Sequence, residues 1–201
     1  MLFRSHPWHG LSLGDAAPET VNCYIEMVPT DTVKYELDKE TGILKVDRPQ
    51  KFSSLCPSLY GLLPQTYCGP LVAKHCMGRT GLTDVIGDRD PMDICVLTER
   101  VIPRGDIILK AYPIGGFRLL DGEEADDKII AVLKGDFVYE DCKDVSELPK
   151  NIINRLWHYF LTYKDTPDRT KCRVNITHTY GAKEAHEIIK LSHQDYVDKF
   201  S

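Results

Sequence analysis

Residues 87–94 read Gly-Asp-Arg-Asp-Pro-Met-Asp-Ile, so Asp88, Asp90 and Asp93 bring carboxylates close together around a proline that limits the backbone. Carboxylate oxygens are the hard ligands that Mg²⁺ takes, a few at a time, together with waters and phosphate oxygens. A calcium loop of the EF-hand type would need liganding side chains at its first, third and fifth positions and glycine at its sixth. Met92 and Asp93 hold the last two of those places, and strand-like Ile94–Leu97 follows in place of a helix, so the calcium loop fails. Taken alone, the three acids also fit a solvated turn.

A second acidic group stands at Asp121, Glu123, Glu124, Asp126 and Asp127, followed by Lys128 and an apolar run. By itself such a charge run reads as an exposed loop. Glu26, Lys34 and Glu36 are charges set inside alternating segments, where they can point to solvent or into a site. Arg48 and the pair Tyr163-Lys164 are unremarkable singly. Cys68, His75 and Cys76 could be a fragment of a zinc site, but no matching second pair follows.

The elements that must position these residues fall into two parts. In Val21–Met27, Val21, Cys23, Ile25 and Met27 alternate with Asn22, Tyr24 and Glu26, the pattern of a half-buried strand. Residues 33–37 repeat the alternation, and Asp38–Gly42 makes a turn into a strand over 43–48. Further strands are expected at 94–97, 107–112 and 128–133. After Ser146, a plausible N-cap, Leu148, Ile152, Leu156, Tyr159, Phe160 and Tyr163 recur at helical spacing, with Pro167 beyond to discourage continuation. A second helix is expected over about 183–196, with Ala185, Ile188, Ile189, Ser192 and Tyr196 inward. The expected fold is mainly β with α: a closed five-stranded OB-like β-barrel with two flanking helices, in one domain spanning 1–201.

The chain has 201 residues, a formal charge of −5 and a pI near 5.8, which disfavours a general binder of nucleic acid or anionic membrane. A small anion remains compatible, because a local cationic cluster or bound metal reverses the sign inside one cleft. No apolar run reaches the length of a membrane span, the opening residues lack a signal-peptide core, and a cytoplasmic location is expected. Seven scattered cysteines, Cys172 among them, fit reduced thiols.

Read in order, VKYELDKETG with KVDR, then LYG, D-x-D-P-x-D, D-x4-D-x-K and HYFLTYK resemble the motifs of the family I soluble inorganic pyrophosphatases. HPWHG near the start looks like the N-terminal arm (1–20) of many members. The resemblance implies hydrolysis of pyrophosphate to two phosphates by a metal-activated water, with several Mg²⁺ ions per site. It places metal ligands on Asp88, Asp93, Asp121 and Asp126, with Glu26 and Glu36 as further acids at the site, and the general base on Asp90. Phosphate-binding cations fall on Lys34, Arg48, Lys128 and Lys164, and phosphate-contacting hydroxyls on Tyr60 and Tyr163. A homo-oligomer is implied, either hexamer or dimer, with no nucleic-acid or membrane partner.

The sequence departs from the family pattern at Arg89, usually small or polar, at Cys56, usually aromatic, and over 62–87, read as an extended loop insertion. If Arg89 points inward it competes with metal by charge; if outward, it could anchor the insertion through Asp84. Rival readings are a metal-dependent nucleotide or polyphosphate hydrolase, a non-catalytic barrel that binds oligonucleotides, and an inactive relative of the family.

Overall fold

The computed structural model describes residues 4–166 and 174–201; Pro167 and Cys172 lie outside them. In chain order the elements are β1 (Val21–Met27), β2 (Val33–Leu37), β3 (Leu44–Pro49), β4 (Leu59–Leu62), α1 (Pro70–Thr80), β5 (Ile86–Gly87), β6 (Asp93–Leu97), β7 (Ile107–Asp121), β8 (Glu124–Ala125) and β9 (Lys128–Leu133). A 3-10 turn over Val145–Glu147 precedes α2 (Lys150–Thr162), β10 (Val174–Gly181) and α3 (Ala182–Phe200). The fold is mixed α+β with a mainly-sheet core.

The pairings β1–β4, β4–β6, β6–β9, β9–β7 and β7–β1 run in a circuit, so each of these strands has a neighbour on both sides. Four of these pairings are antiparallel (β1–β4, β4–β6, β7–β9 and β1–β7), whereas β6 and β9 run parallel. The circuit encloses an apolar core that includes Val21, Cys23, Ile25, Ile94, Val96 and Ile129. Gly61 makes the β1–β4 approach possible: a Cβ there would lie 1.9 Å from the Tyr24 carbonyl oxygen. That contact explains the glycine beside Tyr60 in the Leu-Tyr-Gly motif.

Alternation predicts β1 as half-buried, yet Tyr24 and Glu26 are buried along with the expected face. The reason is a second apolar cluster, in which Trp8 of the N-terminal arm, Leu37, Leu62, Tyr67 and Tyr196 cover Tyr24. Strands β2 and β3 form a separate hairpin.

Among the described residues three α-helices stand where two were expected. The additional one, α1, occupies the segment read as an extended loop insertion. Pro70 begins it, a favoured first position, and Gly81 ends it with φ 71°. Its first free N–H groups are satisfied from far away in sequence: Asp195 of α3 accepts from Gly69 N, Leu71 N and Val72 N at 3.0–3.1 Å. Helix α2 begins at Lys150 and not after Ser146, because Ser146 N and Oγ bond Asp144 in the preceding 3-10 turn. Its buried residues Leu156, Tyr159 and Phe160 are among those the spacing predicts, whereas Ile152 is only half-buried. The inner face expected of α3 is buried, and the helix continues four residues further, to Phe200 beside Trp8. Cys68 and Cys76 pack in the apolar core while His75 turns to Glu184, so the zinc fragment does not assemble. Among the described residues no helix is long and apolar enough to cross a membrane.

Candidate active site

Strand register brings distant acids and bases together. Asp93 opens β6 directly beside Lys128 at the start of β9, and Leu62 of β4 lies on the other side of Asp93. Tyr60, two residues back on β4, donates its hydroxyl proton to Asp93 Oδ2 at 2.6 Å. The Lys128 ammonium is almost wholly buried and touches both Asp93 and Asp126. From the end of α2, Lys164 reaches Asp121 Oδ2 at 2.5 Å, at the end of β7.

The acidic loop is held from behind. Cys68 N donates to the Asp90 carbonyl at 2.8 Å, Arg89 N to the Cys68 carbonyl at 3.1 Å, and Met92 N to Thr66 Oγ1 at 2.9 Å. Asp90 N donates to Asp88 Oδ1 at 2.9 Å, a local bond that aspartate makes readily in turns. The hairpin adds Lys34 and Glu36, two residues apart and so on one face of β2, with Arg48 opposite Lys34 in β3. Lys34 Nζ lies 3.1 Å from Asp47 Oδ2, and the Arg48 guanidinium lies 5.9 Å from the centre of the Tyr163 ring.

Every residue to which the sequence assigns a site role lines one cleft: Glu26, Lys34, Glu36, Arg48, Tyr60, Asp88, Asp90, Asp93, Asp121, Asp126, Lys128, Tyr163 and Lys164. Lys39, Glu124 and Trp8 line it as well and were not assigned. Lys39 sits in the hairpin turn and forms an ion pair with Asp90; its place in a turn gave no hint of that reach. Glu124 belongs to the recognised acidic run, and Trp8 to the recognised arm, so both signals were visible without a role attached.

The electrostatics of the cleft bear on what it can hold. Its lining has eight carboxylates against five cationic side chains. Burial, and then the neighbouring Asp93 charge, pushes the Glu26 carboxyl up to about 8, against the bond Oε1 accepts from Leu37 N at 2.7 Å. Burial followed by Asp126 raises Asp88, and burial also raises Asp126. These oxygens are hard donors in negative excess, which suits divalent magnesium. Among the described residues no three potential ligands already stand together as a closed metal cage. Lysine ammonium groups lie between the carboxylates instead.

Arg89 is exposed, does not line the cleft, and forms no ion pair with Asp84. Its φ of 68° places a long residue in the left-handed region. Arg89→Asn is therefore expected to leave any dependence on Mg²⁺ unchanged and to raise unfolding free energy by up to about 1 kcal/mol, since asparagine tolerates this region better. Denaturant unfolding beside a magnesium titration of activity checks both; lower stability would mean that Arg89 has an anchoring contact after all.

The family model for inorganic pyrophosphatase matches residues 23–197. The chain is 54% identical over 200 residues to an inorganic pyrophosphatase of Chlamydia trachomatis, covering 98% of this chain and 96% of the relative. It is 36% identical over 197 residues to soluble inorganic pyrophosphatase 2 of Chlamydomonas reinhardtii, covering 98% and 91%. The solved inorganic pyrophosphatase of Thermus thermophilus superposes with a TM-score of 0.80 at 25% identity, covering 96% of this chain and 99% of that one.

Proposed function

The chain belongs to the inorganic pyrophosphatase family and is a hydrolase of pyrophosphate, and on that premise we propose that it works with Mg²⁺ held in the acidic cleft and with Asp90 as general base. The observation that carries this reading is the excess of carboxylates over cations in a cleft meant for a polyanion. Pyrophosphate would be repelled from such a lining unless further positive charge entered with it. Asp88, Asp93, Asp121 and Asp126 would hold Mg²⁺, with Glu26 and Glu36 close by. Bound there, Mg²⁺ supplies positive charge for the phosphates and acidifies a water molecule.

The chain's own residues do the rest. Lys34, Arg48, Lys128 and Lys164 form the cationic side, where charge on the leaving phosphate is stabilised. Tyr60 and Tyr163 keep their protons, raised above the ordinary phenol value mainly by burial, and so serve as hydrogen-bond donors to phosphate oxygens. Asp90 is half-buried at the cleft wall, where it takes the proton of the attacking water. The Lys39 ion pair and the Cys68 bond to its backbone orient it. The reading extends to a five-stranded barrel formed by the pairing circuit and to a cytoplasmic homo-oligomer.

Replacing Mg²⁺ by Ca²⁺ as the only divalent ion is the test of this reading. Ca²⁺ is larger, takes six to eight ligands in flexible geometry, and acidifies water less. Phosphate release from pyrophosphate is expected to fall to background in Ca²⁺, with Ca²⁺ inhibiting when Mg²⁺ is present. Equal rates with the two ions would contradict a water activated by magnesium.

A further inference from the structure

Asp127 stands between Asp126 and Lys128 yet does not line the cleft. It lies in the link between β8 and β9 and is buried instead against Arg118 of β7. Both side chains are wholly inaccessible, with Arg118 Nε 3.2 Å from Asp127 Oδ2. The Tyr180 hydroxyl donates to the same oxygen at 3.0 Å, and its ring packs 5.4 Å from the guanidinium. Arg118 Nη2 continues the network by donating to Glu184 Oε1 at 2.9 Å, in the first turn of α3.

This pair is an uneconomical way to gain stability. Burying two charges costs several kcal/mol of hydration each, and well-packed apolar side chains often do as well or better. Arg118 Nε and Nη1 and Asp127 Oδ1 even lack hydrogen-bond partners, so the Nε contact is an ion pair alone, which adds to the cost. What the pair does provide is direction. A shift of one residue in this segment would bring Asp127 into the cleft and drive Asp126 and Lys128 into the core. A shift that set Lys128 against Arg118 in place of Asp127 would bury two like charges together, and the pair opposes it.

We propose that the buried Arg118–Asp127 pair is a positioning device for the cleft, fixing the segment on which Asp126 and Lys128 face the substrate and thereby setting the affinity of the site for Mg²⁺. Neither residue touches substrate or metal. The proposal rests on the assignment of Asp126 as a magnesium ligand.

The test is calorimetric titration of Mg²⁺ into the folded, metal-stripped full-length protein and its variants, without substrate. Asp127→Asn keeps the shape and removes the charge. It is expected to weaken Mg²⁺ binding about tenfold, the low end for losing a group that orients a ligand. Tyr180→Phe, which removes only the hydroxyl bonded to Asp127, is expected to weaken it less, in the same direction. Asp136→Asn is the control for general destabilisation, because its bonds go to Thr98, Glu99, Val138 and Tyr139, away from the cleft lining. It is expected to bind as wild type does.

Unchanged binding in Asp127→Asn, or in Tyr180→Phe if Asp127→Asn does not fold, overturns the proposal. So does an equal loss in Asp136→Asn. A wild-type protein that binds no Mg²⁺ at all would instead remove the assignment of the metal site, which separates the two failures.

Discussion

Asp93→Ala is expected to lower turnover of pyrophosphate by about a thousandfold, the upper range for losing one preorganised electrostatic group. This carboxylate meets several groups of the proposed machinery. Asp93 accepts the Tyr60 hydroxyl, pairs with Lys128, and adds to the charge that raises Glu26. Its loss would free Tyr60 and leave Lys128 with Asp126 alone, while removing one of the proposed metal ligands. The apparent Mg²⁺ requirement is therefore expected to rise together with the fall in turnover, so that excess magnesium restores part of the rate. Circular dichroism and steady-state kinetics across a magnesium series check this. A folded variant with a wild-type magnesium requirement would remove Asp93 from the ligand set.

Asp90→Asn is expected to fail differently. The amide preserves the shape of the loop, and the backbone bonds to Cys68 remain available. Proton acceptance is lost, so turnover is expected to drop by about 10² to 10⁴, the usual contribution of a positioned base. The magnesium requirement is expected to change far less than in Asp93→Ala, and the pH dependence of turnover to flatten on its acidic side. The comparison of the two variants separates holding the metal from moving the proton. Near-normal turnover in Asp90→Asn would show that another group accepts the proton.

The contrast between local and distant partners explains what the sequence discloses. The cluster Asp88, Asp90 and Asp93 is local and visible from spacing, although alone it fits a solvated turn as well as a metal site. The remaining site residues are scattered from Glu26 to Lys164, and only their ordered likeness to a family joins them. The strands at 21–27 and 128–133 fall at the expected bounds because apolar periodicity is a local property. Helix α1 is hidden because its N-terminal cap, Asp195, lies more than a hundred residues away in α3. Strand β10 was not expected, although Val174, Ile176 and Tyr180 recur at every second place or a multiple of it, and β7 runs on through Pro113, Gly115 and Gly116 with an irregular register that no regular pattern suggests. Asp127 looked like one more solvated acid in a charge run. Its burial depends on Arg118, a cation in another strand whose partner no periodicity names.

Glu26 shows the same limit from the other side. Alternation places it opposite the core face of β1, where solvent or a site would serve equally well. The structure buries it beneath Leu37 and the hairpin, with its carboxyl raised by that burial. Tertiary covering, not strand pattern, decides the protonation of this group.

The central claim is that this acidic cleft hydrolyses pyrophosphate only when magnesium completes it. Phosphate release from pyrophosphate by the purified protein, measured as Mg²⁺ is added and then removed with EDTA, tests it most directly. The account predicts no release before magnesium, a rate that rises and saturates as it is added, and return to background on chelation. Sustained release from folded, metal-stripped protein in EDTA would contradict it.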